Sequence, residues 1–196
     1  MSYQEIKGDL IKLALQGKFD VIAHGCNSFC SMGAGIAPQM AAAFGADEFD
    51  LEQRQVPAFY NDDDEEWVMK DSGYVGDINK LGQIDYKLRY LWFKHPKAQN
   101  GLAVVMNHKT VGQSDVGEVI VVNAYTQFEF GRKNGLPVDY EAITLCMRKM
   151  NYVFKGKHIG LPWLGTGLAG GSKEVVKQII QNELTDCEVT MVEYQP

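Results

Sequence analysis

The sequence predicts an α/β fold, a three-layer α/β/α sandwich, and three observations carry that expectation. Short apolar runs of strand length alternate with stretches whose apolar residues recur at helical spacing, mostly across short connections. Two of the strand-to-helix junctions are rich in glycine, Ser31-Met-Gly-Ala-Gly-Ile-Ala37 and Gly165-Thr-Gly-Leu-Ala-Gly-Gly171. The chain has 196 residues and 45% hydrophobic content, enough to bury one substantial core, so a single domain over 1–196 is expected.

Taken in order, residues 2–8 read as a short strand ending at Gly8, and 10–15 as a brief helical turn before Gly17. Asp20-Val-Ile-Ala-His-Gly-Cys-Asn27 is a buried-strand run that leads into the first glycine loop, after which Ile36, Met40, Ala43 and Phe44 recur at helical spacing. From about 45 to 97 the pattern weakens and the segment reads as an insertion. Its acidic run Asp62-Asp-Asp-Glu-Glu66 suits a solvated loop, and the alternating, aromatic-rich stretches around 73–77 and 86–93 suit an added hairpin or strand pair.

Strands are expected over 102–106 and 118–125, joined by the polar loop 107–117. A helix over 139–154 places Ile143, Cys146, Met147, Met150 and Phe154 on one side. The last third repeats the earlier unit: a strand over 157–162, the second glycine loop, and Ser172 as N-cap of a helix lined by Val175, Val176, Ile179, Ile180 and Leu184. A final alternating strand covers 188–194. In such α/β sheets the ligand crevice lies at the carboxyl ends of the strands, where both glycine loops fall.

Composition narrows the partners. With 19 Lys+Arg against 25 Asp+Glu, the formal charge of −6 disfavours nucleic acid, whose affinity comes mainly from basic side chains displacing phosphate counterions. A small anion remains open to it, because a diphosphate is held by backbone N–H groups at a glycine turn and a helix N-terminus without lysine or arginine. The N-terminal sequence lacks the basic start and apolar run of a signal peptide, and no apolar stretch approaches the roughly 20 residues of a membrane span; a cytoplasmic protein with no membrane partner is expected. The four cysteines, Cys26, Cys30, Cys146 and Cys187, are too irregularly spaced for a disulfide framework.

Glycines two apart, Gly33 and Gly35, immediately before a helix let backbone amides approach an anion and aim the helix dipole at it. Alone, the same feature serves a tight turn with no ligand. The pattern lacks the third glycine of the dinucleotide fingerprint and the Gly-Lys-Ser/Thr of a P-loop, so neither cofactor mode is indicated. The second loop, also between strand and helix, makes two facing anion cradles, which suits a diphosphate.

Four motifs, Lys7-Gly-Asp-Leu10, His24-Gly-Cys-Asn27, Met32-Gly-Ala-Gly-Ile-Ala37 and Leu161-Pro-Trp-Leu-Gly-Thr-Gly-Leu168, fall in the order and roughly the spacing of a macrodomain. The chain most resembles the branch that contains the yeast ADP-ribose 1″-phosphate phosphatase and the human terminal ADP-ribose glycohydrolase, over about 2–44 and 118–194. The resemblance implies a macrodomain-type sandwich with a central mixed sheet and a site for ADP-ribose or ADP-ribose 1″-phosphate, with no cofactor.

By that resemblance Asp9 accepts a hydrogen bond from the adenine amino group, with the Gly8 and Leu10 backbone beside it; as an alternative, Asp9 caps the helical turn that follows. Met32, Gly33, Ala34, Gly35, Ile36 and Ala37 would hold the proximal phosphate and distal ribose, and Leu164, Gly165, Thr166, Gly167 and Leu168 would wrap the diphosphate. Asn27 would orient the distal ribose, or else stabilise a turn. Tyr125, with Phe128 nearby, is a candidate for stacking on the base, or an ordinary core aromatic.

For catalysis the resemblance points to His24 and Asn27, His24 as general acid or base in removing a 1″-phosphate. A histidine at the end of a buried strand also suits a purely structural hydrogen bond. The partner carboxylate is open among Asp115, Glu118 and Glu129. The lysine and aspartate used by the human glycohydrolase align with Asn107 and Ala169, which leaves covalent cleavage by that route without a nucleophile and keeps a plain ADP-ribose-binding module as the alternative. His24, Cys26 and Cys30 lack a clear fourth ligand, so no metal is assigned. The two cysteines read instead as small residues at the base of the site.

Overall fold

The computed structural model describes residues 2–49, 58–61, 66–69, 78–109, 113–128 and 137–195. Among the described residues nine strands and four α-helices follow one another: β1 (Ser2–Gly8), α1 (Leu10–Leu15), β2 (Val21–Asn27), α2 (Ala37–Phe44), β3 (Ala58–Asn61), β4 (Glu66–Met69), β5 (Ile84–Trp92), β6 (Val104–Met106), β7 (Val116–Gln127), α3 (Tyr140–Val153), β8 (His158–Leu161), α4 (Lys173–Glu183) and β9 (Glu188–Tyr194). Seven strands form one sheet in the order β1-β9-β8-β2-β7-β5-β6, and β3 pairs with β4 in a separate two-stranded sheet.

From β1 to β7 the neighbours are parallel, whereas β5 runs antiparallel to both β7 and β6, so the sheet is mixed. Together with the helices this is the expected three-layer α/β/α sandwich. Parallel pairing also sends the carboxyl ends of β1, β9, β8, β2 and β7 to one edge.

Alternation along the strands divides the core. Val21 and Ala23 of β2 join Ile143, Met147 and Met150 of α3 and Val176 and Ile180 of α4 on one face. Ile22 joins Leu10 and Ala14 of α1 and Met40 and Phe44 of α2 on the other. The helices start where their caps dictate: Asp139 accepts from the Ala142 N–H at 2.9 Å, and Ser172 from the Val175 N–H at 3.4 Å.

One sequence expectation is corrected here. The stretch around 86–93 is no appended hairpin: Ile84–Trp92 pairs with β7 along its whole length as an interior strand of the main sheet. Its buried Arg89 donates to the carbonyls of Phe44 at 2.7 Å and Gly45 at 3.5 Å, fixing the C-terminal end of α2. Gly45 closes that helix in the left-handed region at φ 61°. Among the described residues of the 45–97 segment, β3 pairs antiparallel with β4, which takes in Glu66 of the acidic run; 62–65 and 73–77 lie outside the described residues.

Candidate functional site

The site is built on the common carboxyl edge. Loop 31–37 leaves β2 and loop 165–171 leaves β8, and these strands are direct neighbours in register, Val21 opposite Ile159. Between them opens a cavity of about 850 Å³, within the range of sites for small molecules. It runs along the strand ends, from Asp9 after β1 and Glu193 of β9, past Trp163 and Leu164 after β8, to Asn27 and then Gln127 of β7. With strands roughly 4.8 Å apart, the four intervals from β1 to β7 span about 19 Å, room for an extended ligand.

Of the residues picked from sequence, Asp9, Leu10, Asn27, Gly33, Ala34, Gly35, Ile36, Ala37, Leu164, Gly165, Thr166, Gly167 and Leu168 all line this cavity. Gly8 and Met32 stand beside lining residues without being part of the wall.

Asn27 is the keystone of the first loop. Its Oδ1 accepts from the Phe29 N–H at 3.0 Å and the Ser31 N–H at 3.1 Å, while its Nδ2 donates to the Ser31 carbonyl at 2.8 Å. These are the turn-stabilising bonds that the sequence left as an alternative, and they occupy both ends of the amide. The loop then enters α2, whose N-cap is Ile36, with no side chain capping the first turn and Pro38 in it. In that turn Pro38 has no N–H, and the Gln39 and Met40 N–H groups donate to the Ile36 carbonyl at 3.0 Å each. A Cβ placed on Gly35 or on Gly167 would meet nothing within 4 Å, and one on Gly33 only Ser31 Oγ at 3.8 Å; the space belongs to the cavity.

The second loop is folded by its own backbone. Gly171 N–H donates to the Gly165 carbonyl at 2.8 Å and Gly170 N–H to that of Gly167 at 3.0 Å. Gly165 takes φ +67° with Val138 Cγ2 2.8 Å from where a Cβ would stand, so no side chain fits there. The first turn of α4 is already capped by Ser172, leaving α2 as the helix whose uncapped start opens on the cavity.

Asp9 is the cap that its sequence position allowed, its Oδ1 accepting from the Lys12 N–H at 3.1 Å, and it stands in the cavity wall.

His24 is placed elsewhere. It is 0% exposed, absent from the cavity wall, and its Nε2 lies 2.8 Å from Asn123 Oδ1. Asn123 Nδ2 donates to the Ala46 carbonyl at 2.8 Å, so Oδ1 faces the ring and Nε2 carries the proton. Burial pushes the imidazole down to about 4, against a smaller opposing effect of the Asn123 bond, and leaves it neutral near pH 7. Alternation along β2 explains the placement: His24 and Cys26 point to the α2 side, beneath the site.

Tyr125 is fully buried and packs with Cys26, Cys30 and Met32 under the first loop, so its ring is no part of the wall. Phe128 makes an edge contact with Phe29 at 5.5 Å between centroids. The cysteines thus lie below the base of the site, and Lys80 Nζ stands 2.8 Å from Cys30 Sγ.

Two of the carboxylate candidates, Asp115 and Glu118, are corrected by strand direction. Asp115 precedes β7 and pairs with Lys94, and Glu118 lies near the start of the same strand, at the sheet edge opposite the cavity. Glu129 lies outside the described residues. Asn107 follows the edge strand β6 and is not in the wall, whereas Ala169 is.

Sequence reasoning missed Gly25, Gln39, Gln127, Trp163, Lys173, Glu193 and Tyr194, all of which line the cavity. Lys173 opens α4, and its Nζ lies 2.6 Å from Glu193 Oε1 and 5.2 Å from the centre of the Trp163 ring. That ammonium holds the Glu193 carboxyl below its ordinary value.

No family model matches the chain. An uncharacterised 17.5 kDa protein from the tk-vs intergenic region of Enterobacteria phage T4 is 28% identical over 200 residues, covering 100% of this chain and 99% of its own. The Thermosipho africanus DarTG protein, solved in complex with ADP-ribose, is similar over 100% of this chain and 42% of its own, with 14% identity and a TM-score of 0.58. The macrodomain of Thermus aquaticus DarG is similar over 99% of this chain and 98% of its own, with 18% identity and a TM-score of 0.52. Seven mixed strands in one sheet, helices on both faces and this likeness agree on one architecture: the chain has the macrodomain fold.

Proposed function

We propose that the cavity binds ADP-ribose or an ADP-ribose derivative. One observation carries the reading: two glycine loops from adjacent parallel strands open on a single cavity whose glycines leave room for a ligand against the backbone. A diphosphate fits between them, held by backbone N–H groups and the uncapped start of α2. Asp9 at the β1 end supplies an acceptor for the adenine amino group, and the distal ribose then falls toward Asn27. The ADP-ribose complex of the similar Thermosipho protein supports the same ligand.

Hydrolysis of ADP-ribose 1″-phosphate is the second reading. It is favoured by the polar side chains of Ser31 and Thr166 along the loops. His24 serves it only indirectly, because an enclosed, neutral ring bound to Asn123 exchanges no proton with a ligand in the cavity. Binding therefore stands first.

Thermal-shift titrations with ADP-ribose and ADP-ribose 1″-phosphate, run beside a phosphate-release assay, separate the two. Stabilisation by both ligands without phosphate release identifies a binding module. Release that survives His24→Ala identifies turnover by the cavity wall. Absence of any shift with either ligand contradicts the assignment.

A further inference from the structure

We propose that Glu193 determines ligand specificity by accepting the hydroxyls of the adenosine ribose and rejecting a phosphate at its 2′ position. The inference rests on the ADP-ribose reading and follows from the order of strand ends along the cavity. Passing from the loops to the far end, the sheet presents β2, β8, β9 and β1 in succession. A diphosphate between the loops of β2 and β8, with the base at Asp9 after β1, leaves the intervening ribose over β9. At that strand's carboxyl end stand Glu193 and Tyr194, both in the cavity wall.

A carboxylate accepts hydrogen bonds and donates none, so it matches a vicinal diol and opposes a phosphate dianion. Lys173 does not reverse that preference. It is the one basic side chain among the described wall residues, but its ammonium is already 2.6 Å from Glu193 Oε1, lying over the Trp163 ring. Seating a phosphate on Lys173 would break that pair and leave two anions side by side. Glu193 is about half exposed, so the effect is graded, not absolute.

Calorimetric titration of the full chain with ADP-ribose and with ADP-ribose 2′-phosphate tests this, using wild type, Glu193→Gln and Lys173→Met. Wild type is expected to favour ADP-ribose by about tenfold or more. Glu193→Gln should weaken ADP-ribose a few-fold and bring the two ligands within about threefold of each other, whereas Lys173→Met should keep or widen the preference. Equal binding by wild type, an unchanged ratio in Glu193→Gln, or loss of the preference in Lys173→Met would overturn the assignment of specificity to Glu193. Failure of both ligands to bind wild type would instead remove the ADP-ribose reading on which it rests.

Discussion

His24 and Asn123 form a closed buried pair, Nε2 to Oδ1 at 2.8 Å, with the asparagine amide passed on to the Ala46 carbonyl just beyond α2. The pair ties β2 to β7 and both to the end of the helix that opens on the cavity. Its consequence is a pH dependence of folding. The native imidazole titrates at about 4 and the unfolded one near 6.5, so between these values the unfolded chain binds more protons. Stability contributed by this group is therefore intact above pH 6.5 and lost as pH falls toward 4, by about 3 kcal/mol at most. Urea titrations across that window should show a steeper loss for wild type than for His24→Gln; parallel curves would mean the ring is not buried neutral.

Asn27→Ala removes three bonds that shape loop 31–37 and leaves the Ser31 and Phe29 amides to find other partners. The expected cost is about 2 kcal/mol of stability and at least tenfold in ADP-ribose affinity. Asn27→Asp keeps both accepted bonds, loses the donation to Ser31, and should fall between the two in denaturation and in calorimetry.

Asp9 both caps α1 and lines the cavity, and one substitution separates the two. Asp9→Ser preserves the cap on α1, worth about 1 kcal/mol, but withdraws the carboxylate from the cavity. Near-wild-type unfolding with ADP-ribose binding weakened about tenfold is expected. Unchanged affinity would leave Asp9 as a cap alone.

Glycines packed against the protein and glycines open to the cavity should respond differently. A Cβ on Gly171 would stand 2.8 Å from the Gly165 carbonyl, so Gly171→Ala should lower the unfolding midpoint. Gly25→Ala should do likewise, since its Cβ would meet Thr126 Oγ1 at 2.8 Å, a buried hydroxyl with no hydrogen-bond partner among the described residues. Gly167 has open space and should tolerate substitution in the fold while losing ligand.

Legibility from sequence followed the range of the interactions. The glycine loops, the Asp139 and Ser172 caps and the helical faces depend on residues within a turn or two of each other, and they stood out. Whether Asp9 capped or faced a ligand could not be separated, because the N-cap position is also the carboxyl end of β1. The place of β5 was hidden, since alternating residues look alike in an outlying hairpin and in a strand paired to β7. Direction was hidden too: Asp115 lies close in sequence to a site-bearing strand but at its wrong end. Glu193 and Lys173 became wall residues only once β9 was inserted between β1 and β8, a sheet order that no local pattern encodes.

The central claim is that the space between the two glycine loops is an ADP-ribose site, and Gly167→Glu puts a carboxylate side chain into that space from a position where the Cβ meets nothing within 4 Å. Calorimetry with ADP-ribose should show micromolar-scale binding by wild type and none measurable by Gly167→Glu, with the unfolding midpoints of the two proteins equal. Equal affinity in both proteins, or no binding by wild type, would contradict it.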